Sequence, residues 1–454
     1  MTVLRASRVA IGASSAPHAL QNRGSASFSR PQVRQVTHCA SLRRATARGR
    51  LRSEDVSRYQ RRRGEEQRAT TLELFYDLVF VFAVTQVSHL LLDDLSWRGV
   101  GHMTLALLVV WWAWNYTTWV TNELDPDSAV VRLLLIALML ASLLLAVAIP
   151  DAFGDRALLF AGSYVAIQVG RHSFLTFVAA GRGTIERERA GRILAWFVAA
   201  GTLWLAGAFV DGSARTALWL GALAIDYLAP LVLYWIPGRL PLSGDTWDVE
   251  TAHFAERFQL FMIIALGETI VITGATTSQL DLDAARLLAF GLAFLSTAAM
   301  WWLYFDYVAG IAQRRLELAA DRTRLARDGY TYLHVVMVAG VIVSAVGDEL
   351  VIAHPADRLP VREVAVVVAG PAIYLLGHVL FRLRMAGSLS WKRLSGAVAC
   401  LAVGAVFGWA PALVVAALVA GVLGAVIGAE LLASARRTAR GEPSPTERLE
   451  ARAG

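Results

Sequence analysis

Lysine and cysteine are almost absent from this sequence, and charged residues of every kind are scarce. Only 17% of the 454 residues are charged, whereas about 25% is usual for a soluble domain. Lys392 is the single lysine, and the two cysteines, Cys39 and Cys400, lie far apart in the chain. Two isolated cysteines exclude a disulfide framework and a cysteine-based metal site. The low charge argues against a soluble fold.

Long apolar runs occupy most of the chain instead. Hydrophobic residues make up 56% of the sequence, and apolar runs recur from Thr71 to Leu432. Several runs reach about 20 residues, the length that crosses a bilayer as a helix, whereas strands of a membrane barrel are about half as long and alternate in polarity. We therefore predict an all-α fold, a polytopic transmembrane helical bundle.

Charged residues and Gly/Pro breaks divide the apolar region into about twelve predicted spans. The predicted spans lie near residues 72–92, 100–120, 130–149, 157–180, 193–210, 216–236, 254–276, 285–309, 330–352, 363–383, 394–409 and 411–432. Only residues 408–411 separate the last two spans, so a single tilted span is the alternative there.

Basic residues fall mainly in alternate loops between these spans. Clusters of them occupy residues 182–192, 314–327 and 382–393, whereas the intervening loops hold scattered arginines. By the positive-inside rule, this alternation predicts a multi-pass membrane protein with both termini in the cytoplasm. We expect its location to be the bacterial inner membrane. The net charge of +7 then reflects membrane topology. We expect membrane lipids, and no nucleic acid, as partners.

Two terminal segments differ in composition from the rest of the chain. Residues 1–68 are rich in Arg, Ser and Ala, and no acidic residue precedes Glu54. This composition resembles an organellar transit peptide, but we favour a basic disordered tail or a start codon placed too early, since no methionine occurs between Met1 and Met103. Residues 435–454 are predicted to be a disordered cytoplasmic tail.

The apolar region has the pattern of an internal repeat, with one half at residues 69–238 and the other at 239–434. The second span carries Trp111 and Trp112, and the eighth carries Trp301 and Trp302. Acidic residues followed two positions later by Phe open the first and seventh spans. Because six spans are an even number, the halves would have the same orientation in the membrane. We expect the first and seventh spans to meet at a central seam.

Ionisable residues inside the predicted spans are the candidate functional residues, because charge at membrane depth is costly and usually faces other helices or water. Glu73 and Asp77 are four residues apart on one helical face. Stabilisation of a carboxylate at a helix N-terminus is an alternative reason for Glu73, Asp77 and Glu256. Glu268 lies in the middle of the seventh span. The complete predicted pathway set is Glu73, Asp77, Glu256, Arg257, Glu268 and Asp306.

His253 and Glu256 form an H-x-x-E step that could supply two metal ligands. A lone step is weak evidence, and a hydrogen-bonded histidine at the membrane interface is the simpler interpretation. No phosphate-binding loop, nucleophile elbow or dinucleotide-binding fingerprint occurs in the sequence. We therefore expect no cofactor and predict no catalytic residue.

Two motifs carry a resemblance to a known family. The run TLELFYDLVFVFAVTQ at residues 71–86 resembles the opening signature of the bacterial low temperature requirement A family. The run HFAERF at residues 253–258, continuing to Glu268, resembles that family's second signature. The likeness covers residues 70 to 432. It implies a multispan membrane protein named from a cold-growth phenotype, with no settled biochemical activity.

A fainter likeness concerns the first motif alone. Residues Phe75 to Asp77 are similar to the F-S-D-x-x-x-A motif that opens each six-span repeat of endolysosomal-type potassium channels. Tyr76 replaces the serine and Val81 the alanine, and the second half has Gln259 and Leu260 where Ser-Asp is expected. The likeness implies a two-repeat architecture and does not extend to potassium selectivity.

These observations support three hypotheses from different classes. The leading one is transport or permeation of a small cation or proton through the seam between the halves. A second is a membrane-embedded enzyme acting on a lipid or isoprenoid substrate through His253 and Glu256. A third is a non-catalytic sensor or scaffold. We favour a non-enzymatic role, because no complete catalytic arrangement is visible.

Overall fold

The described part of the chain is helical throughout. The computed structural model describes Tyr59 and residues 68–244, 247, 249–306 and 308–453, and no β-strand occurs among them. The prediction of an all-α membrane bundle is confirmed. The predicted N-terminal tail lies outside the described residues, apart from Tyr59 and Arg68.

The helices follow the order of the predicted spans. They are α1 Thr71–Asp93, α2 Trp97–Glu123, α3 Ala129–Ala148, α4 Ala157–Phe174, α5 Ile185–Ala208, α6 Gly212–Leu228, α7 Thr251–Ser278, α8 Ala284–Phe305, α9 Val308–Glu317, α10 Arg322–Leu325, α11 His334–Ala353, α12 Val361–Ala386, α13 Trp391–Phe407, α14 Ala412–Ala439 and α15 Pro445–Ala453. Wider π-helical turns follow α4 at Leu175–Ala179 and precede α11 at Ala326–Leu333.

Eight helical segments in the described residues are long and apolar enough to cross a membrane. They contain α1, α3, α5, α7, α8, α11, α12 and α14, whereas α2, α4, α6 and α13 do not meet that length and hydropathy. Residues 408–411 separate α13 from α14, so the last apolar region forms two helices. The number of twelve membrane spans stays a prediction.

The outer surface of the bundle is apolar, as lipid requires. On α3, Leu133, Ile136 and Leu140 are between 51% and 67% exposed. Polar and charged side chains such as Glu73, Arg257 and Glu268 are instead fully buried between helices. A soluble protein rarely exposes a contiguous apolar surface of this kind. The distribution therefore fits a protein whose outward face contacts acyl chains.

Glycines bring α11 and α12 into backbone contact. A Cβ atom on Gly340 would lie 2.4 Å from the backbone nitrogen of Tyr374, and one on Gly370 would lie 2.4 Å from that of Ser344. Real Cβ contacts are longer than this, so neither position accepts a side chain without movement of a helix. Small residues at such contacts are typical of membrane helix pairs.

The two predicted Trp pairs have different surroundings. Trp111 and Trp112 on α2 are fully buried, whereas Trp301 and Trp302 on α8 are 47% and 42% exposed. Two further helices, α9 and α10, lie between α8 and α11, where the first half has only a short connection. The internal repeat stays a prediction.

The C-terminal segment contains helix as well as turn. Helix α14 continues to Ala439, and α15 covers residues 445–453 of the predicted disordered tail. A capping box accounts for the start of α15, since Ser444 and Glu447 exchange side-chain to backbone hydrogen bonds of 2.6 and 3.2 Å. An ion pair of 2.9 Å joins Glu450 to Arg314 on α9.

Candidate functional site

Helices α1 and α7 pack side by side and run parallel. Asp77 contacts Arg257 near the start of both helices, and Ser88 contacts Glu268 eleven residues further along each of them. Both pairs are separated by 180 positions in the sequence. Because the separation in sequence is the same at both contacts, the two helices run in the same direction. The contact predicted between the first and seventh spans is therefore present in the fold.

The first polar level of this seam is a buried ion-pair cluster. The Arg257 guanidinium lies 2.7 Å from an Asp77 oxygen and 3.3 Å from a Glu73 oxygen. The indole nitrogen of Trp114, on α2, donates a 2.8 Å hydrogen bond to the same Asp77 oxygen. None of these four residues is more than 2% exposed. Two carboxylates therefore share one guanidinium at this level, and the indole donates to one of them.

His253 extends the cluster and is held in one tautomer. The Asn122 side chain has a fixed orientation, because its oxygen accepts from the Glu250 backbone N–H at 2.9 Å and its nitrogen donates to the Glu250 carbonyl at 3.0 Å. The same nitrogen lies 3.1 Å from Nδ1 of His253, which therefore accepts. The proton of a neutral ring is then on Nε2, 3.0 Å from a Glu73 oxygen.

Glu73 also helps to cap the N-terminus of α1. Its carboxylate accepts from the backbone N–H of Thr70 at 2.9 Å, and the Thr70 hydroxyl accepts from the Glu73 N–H at 3.3 Å. This is a capping box. Both interpretations of Glu73 in the sequence, a helix cap and a buried pairing residue, therefore apply to one side chain.

A layer of aromatic side chains lies directly beyond the ion pairs. Phe80 on α1 and Phe261 on α7 are both at most 1% exposed, and their ring centres are 6.4 Å apart. Trp111 and Trp114 pack on Phe261, with ring centres 5.3 and 4.3 Å from it. These rings fill the seam between its two polar levels and separate them from each other.

The second polar level contains Glu268 and two hydroxyl groups. Thr85 and Ser88 on α1 lie 2.6 and 2.8 Å from the two carboxylate oxygens of Glu268. Glu268 is fully buried, and no arginine, lysine or histidine forms an ion pair with it among the described residues. Its hydrogen-bond partners are hydroxyl groups, and His89 is near enough to interact with its charge without forming an ion pair. A buried carboxylate without a directly paired cation is the unusual feature of the seam.

The hydroxyl groups at this level each have a second acceptor. Thr85 lies 3.2 Å from the carbonyl of Val81, and Ser88 lies 2.9 Å from the carbonyl of Val84. Each hydroxyl hydrogen can therefore point at the Glu268 carboxylate or at a carbonyl of its own helix. In the second arrangement the hydroxyl oxygens remain beside Glu268 as acceptors.

The predicted site residues thus divide between two levels and the periphery. Asp77 and Glu268 do not share one centre, because the Phe80 and Phe261 rings stand between them. Glu256 is turned away from the ion pairs, and its carboxylate accepts from the Ala69 N–H at 2.8 Å. Asp306, at the end of α8, is exposed.

The candidate metal ligands are engaged in other hydrogen bonds. Both ring nitrogens of His253 face partners within the cluster, and the Glu256 carboxylate accepts from the backbone N–H of Ala69, just before α1. In the part of the chain that is described, no group of three His, Cys, Asp or Glu side chains is arranged to hold a metal ion.

Sequence reasoning did not identify Thr85, Ser88, Trp114 or Asn122. A signal for the first two exists, since Asp77, Thr85 and Ser88 recur at spacings of eight and three on one face of α1. Trp114 and Asn122 carry no such signal. Their role depends on where α2 packs, which spacing within one helix does not determine.

Comparison with known proteins agrees with the two sequence motifs. The family model of the bacterial low temperature requirement A protein (LtrA) matches residues 68–428. An uncharacterized protein of Rhizobium meliloti (strain 1021), RA0937, is 37% identical over 315 residues, which cover 69% of this chain and 76% of that protein. No solved structure matches the chain. The likeness to potassium channels stays a prediction from one motif. The chain belongs to the bacterial low temperature requirement A family.

Proposed function

We propose that this protein transports a proton or a small cation through the α1–α7 seam, with Glu268 as the binding group. The observation that carries the proposal is the burial of Glu268 with hydrogen bonds from two hydroxyl groups and no directly paired cation among the described residues. An ionised carboxylate in such a place is costly unless a proton or cation neutralises it. The site therefore favours uptake of one positive charge.

The chemistry of the level suits either a proton or a cation. The Glu268 carboxylate and the Thr85 and Ser88 hydroxyls together present oxygen atoms, which hard cations prefer. When a positive charge binds, the two hydroxyl hydrogens can turn to the Val81 and Val84 carbonyls. Binding and release then require rotation of two hydroxyl groups and no movement of a helix.

Passage along the seam requires more than this rotation. The packed Phe80 and Phe261 rings lie between the two polar levels along α1 and α7, and beyond them Arg257 is paired with Glu73 and Asp77, so no free path leads along the seam. A permanently open pore does not fit this arrangement. We propose a gated transporter in which Arg257, already close to both Glu73 and Asp77, changes partners as the aromatic layer opens.

The setting that we propose is the bacterial inner membrane, with both termini in the cytoplasm. Its support is the clustering of basic residues in alternate loops. In this orientation the first polar level lies toward the cytoplasm and Glu268 lies toward the other face. A cation would reach Glu268 from that outer side.

Flux measurements on the full chain in liposomes test the proposal. We expect uptake of protons, sodium or potassium down an imposed gradient, and loss of at least 90% of that flux in Glu268→Gln. Glu268→Asp, which keeps the carboxylate, should retain a measurable fraction. Absence of flux for all three ions, or equal flux in wild type and Glu268→Gln, would contradict transport.

Asp226→Asn provides a matched control. Asp226 is another buried carboxylate with neutral partners, since it accepts from the Tyr164 hydroxyl at 2.8 Å and the Trp204 indole at 3.0 Å. It lies on α6, outside the seam. We expect its variant to transport like wild type, so that a general effect of neutralising a buried carboxylate can be recognised.

A further inference from the structure

A cavity of about 380 Å³ lies apart from the seam. Its walls come from α2, the end of α4 with the π-helical turn after it, α5, the segment between α6 and α7, and α10 with the π-helical turns after it. The volume is within the usual range for small-molecule sites, about 300–1,000 Å³. None of the residues of the α1–α7 seam lines it. The cavity therefore needs its own explanation.

The greater part of the lining is apolar or aromatic. Tyr116 and Trp119 on α2 line the cavity together with Tyr234 and Trp247, and the hydroxyls of the two tyrosines are hydrogen-bonded to each other. Rigid aromatic walls suit a hydrocarbon chain or ring. They do not suit a small hydrated ion.

The chain adopts a strained backbone to build one of these walls. Leu233 and Tyr234 have φ angles of 50° and 54°, in the left-handed region that residues with a side chain rarely occupy. Such residues persist only where surrounding contacts hold them, and they are concentrated at functional sites. Tyr234 is 5% exposed, so the strained turn directs its ring inward.

The inner end of the cavity has an unused hydrogen-bond donor. Asn115 is fully buried, and its side-chain oxygen accepts from the Thr331 hydroxyl at 3.1 Å. Its side-chain nitrogen has no acceptor among the described residues. A buried donor without a partner is costly. An oxygen atom on a bound molecule would satisfy it.

The rim beside α10 carries an excess of positive charge. Arg327 and Arg384 each lie 2.8 Å from the Asp328 carboxylate, and Arg324 lies 4.0 Å from it. One carboxylate therefore faces three guanidinium groups, and Arg324 and Arg327 also line the cavity. The lining as a whole has as many acidic residues (Glu123, Glu186, Asp321) as basic ones (Arg189, Arg324, Arg327), so the excess is confined to the guanidinium groups around Asp328.

We propose that this cavity binds an amphiphile with one hydrocarbon chain and a phosphate head group. The chain would lie between the aromatic walls, and the phosphate would contact Arg324 and Arg327, because guanidinium groups bind phosphate through paired hydrogen bonds. A membrane lysolipid and a free phosphorylated amphiphile have this chemistry in common. The inference does not depend on ion transport through the seam.

Native mass spectrometry of the purified full chain in detergent tests the proposal with three probes. Lysophosphatidic acid has both chain and phosphate, a monoacylglycerol of equal chain length lacks the phosphate, and glycerol 3-phosphate lacks the chain. We expect one lysophosphatidic acid per chain, bound at least tenfold more tightly than either of the others. Equal binding of the monoacylglycerol, or of glycerol 3-phosphate alone, would overturn it.

Two substitutions locate the binding site. Ala190 on α5 lines the cavity and is 5% exposed, so Ala190→Trp should fill the space and weaken binding at least tenfold. Ala206→Trp, on an exposed position of the same helix, should bind like wild type. Equal affinity in both tryptophan variants would place the bound amphiphile elsewhere and overturn the assignment.

Arg327→Gln keeps the test decisive if Ala190→Trp does not fold. We expect it to weaken lysophosphatidic acid binding at least threefold and to leave monoacylglycerol binding unchanged. Arg132→Gln is its control, because Arg132 pairs with Asp127 at 2.9 Å and does not line the cavity. Equal affinity of the two arginine variants for lysophosphatidic acid would show that Arg327 does not bind the phosphate and would overturn that part of the proposal.

Discussion

The two polar levels of the α1–α7 seam lie on the same two helices but differ in how their charge is balanced. At the first level Asp77 has a guanidinium at 2.7 Å and an indole donor at 2.8 Å. At the second level, the Glu268 carboxylate accepts hydrogen bonds from the hydroxyl groups of Thr85 and Ser88. Between Asp77 and these hydroxyls α1 advances eight to eleven residues, roughly 12–16 Å at 1.5 Å per residue.

The difference separates a structural role from a binding role. Removing one partner of a buried ion pair leaves an uncompensated charge, so the first level fixes the register of α1 against α7. The hydroxyls of the second level can rotate toward helix carbonyls, so Glu268 can gain a positive charge without breaking a contact between helices. Stability should therefore depend mainly on the first level, and binding of the transported charge on the second.

The largest effect on stability is expected from Arg257→Gln. Glu73 and Asp77 would then lose a buried guanidinium, and loss of one partner of such a pair costs about 3–5 kcal/mol. Denaturant unfolding of the detergent-solubilised chain measures the loss. Arg286→Gln, at a partly exposed ion pair on α8, should change the free energy of unfolding by about 1 kcal/mol or less. Equal losses of unfolding free energy in the two variants would show that the ion pairs of Arg257 do not stabilise the fold more than an exposed pair does.

A double substitution sharpens the same comparison. Adding Asp77→Asn to Arg257→Gln removes the carboxylate as well as the cation, so the double variant should be more stable than the sum of the two single losses predicts. The expected coupling energy is about 0.5–3 kcal/mol. A complete mutant cycle of unfolding free energies gives this quantity. Strict additivity would mean that Asp77 and Arg257 do not interact.

Smaller losses are expected from the hydroxyl groups of the second level. Thr85→Val and Ser88→Ala each remove one hydrogen bond to Glu268, which is worth about 0.5–1.5 kcal/mol. Their effect on transport should be larger than their effect on stability, since each removes an oxygen from the proposed binding group. Parallel unfolding and flux measurements check this; a stability loss above 3 kcal/mol would assign the hydroxyls to the structural level.

The smallest change in stability is expected from Glu268→Gln. The amide has nearly the same shape as the carboxylate and can donate to hydroxyl oxygens whose hydrogens turn to the Val81 and Val84 carbonyls. We expect a difference below about 1 kcal/mol in the free energy of unfolding, since every hydrogen bond has a replacement. A loss as large as that of Arg257→Gln would remove the contrast between the two levels.

Much of the seam could be predicted from the sequence, because charged residues are rare inside membrane spans and are easily recognised there. Glu73, Asp77 and Arg257 stood out for this reason, and the arrangement brings them together. The division into two levels could not be predicted, since it depends on the 180-residue register between α1 and α7. That register is fixed by contacts between helices, which periodicity within a helix does not contain.

The Trp pairs show a second limit of sequence reasoning. Trp111 and Trp112 match Trp301 and Trp302 in spacing, yet the first pair is buried and the second is more than 40% exposed. Tryptophan suits both a packed interior and a lipid-facing surface, so its position alone does not indicate which applies. The cavity was missed for a related reason: its walls come from segments far apart in the chain.

The direct backbone contact at Gly340 and Gly370 has a consequence for movement. Where side chains interlock, a helix can shift and its rotamers can adjust, but two main chains in contact have no such freedom. We therefore expect α11 and α12 to move as one rigid body. A change between closed and open seams then has to occur at interfaces with intervening side chains, and the glycine contact determines which part of the protein stays fixed.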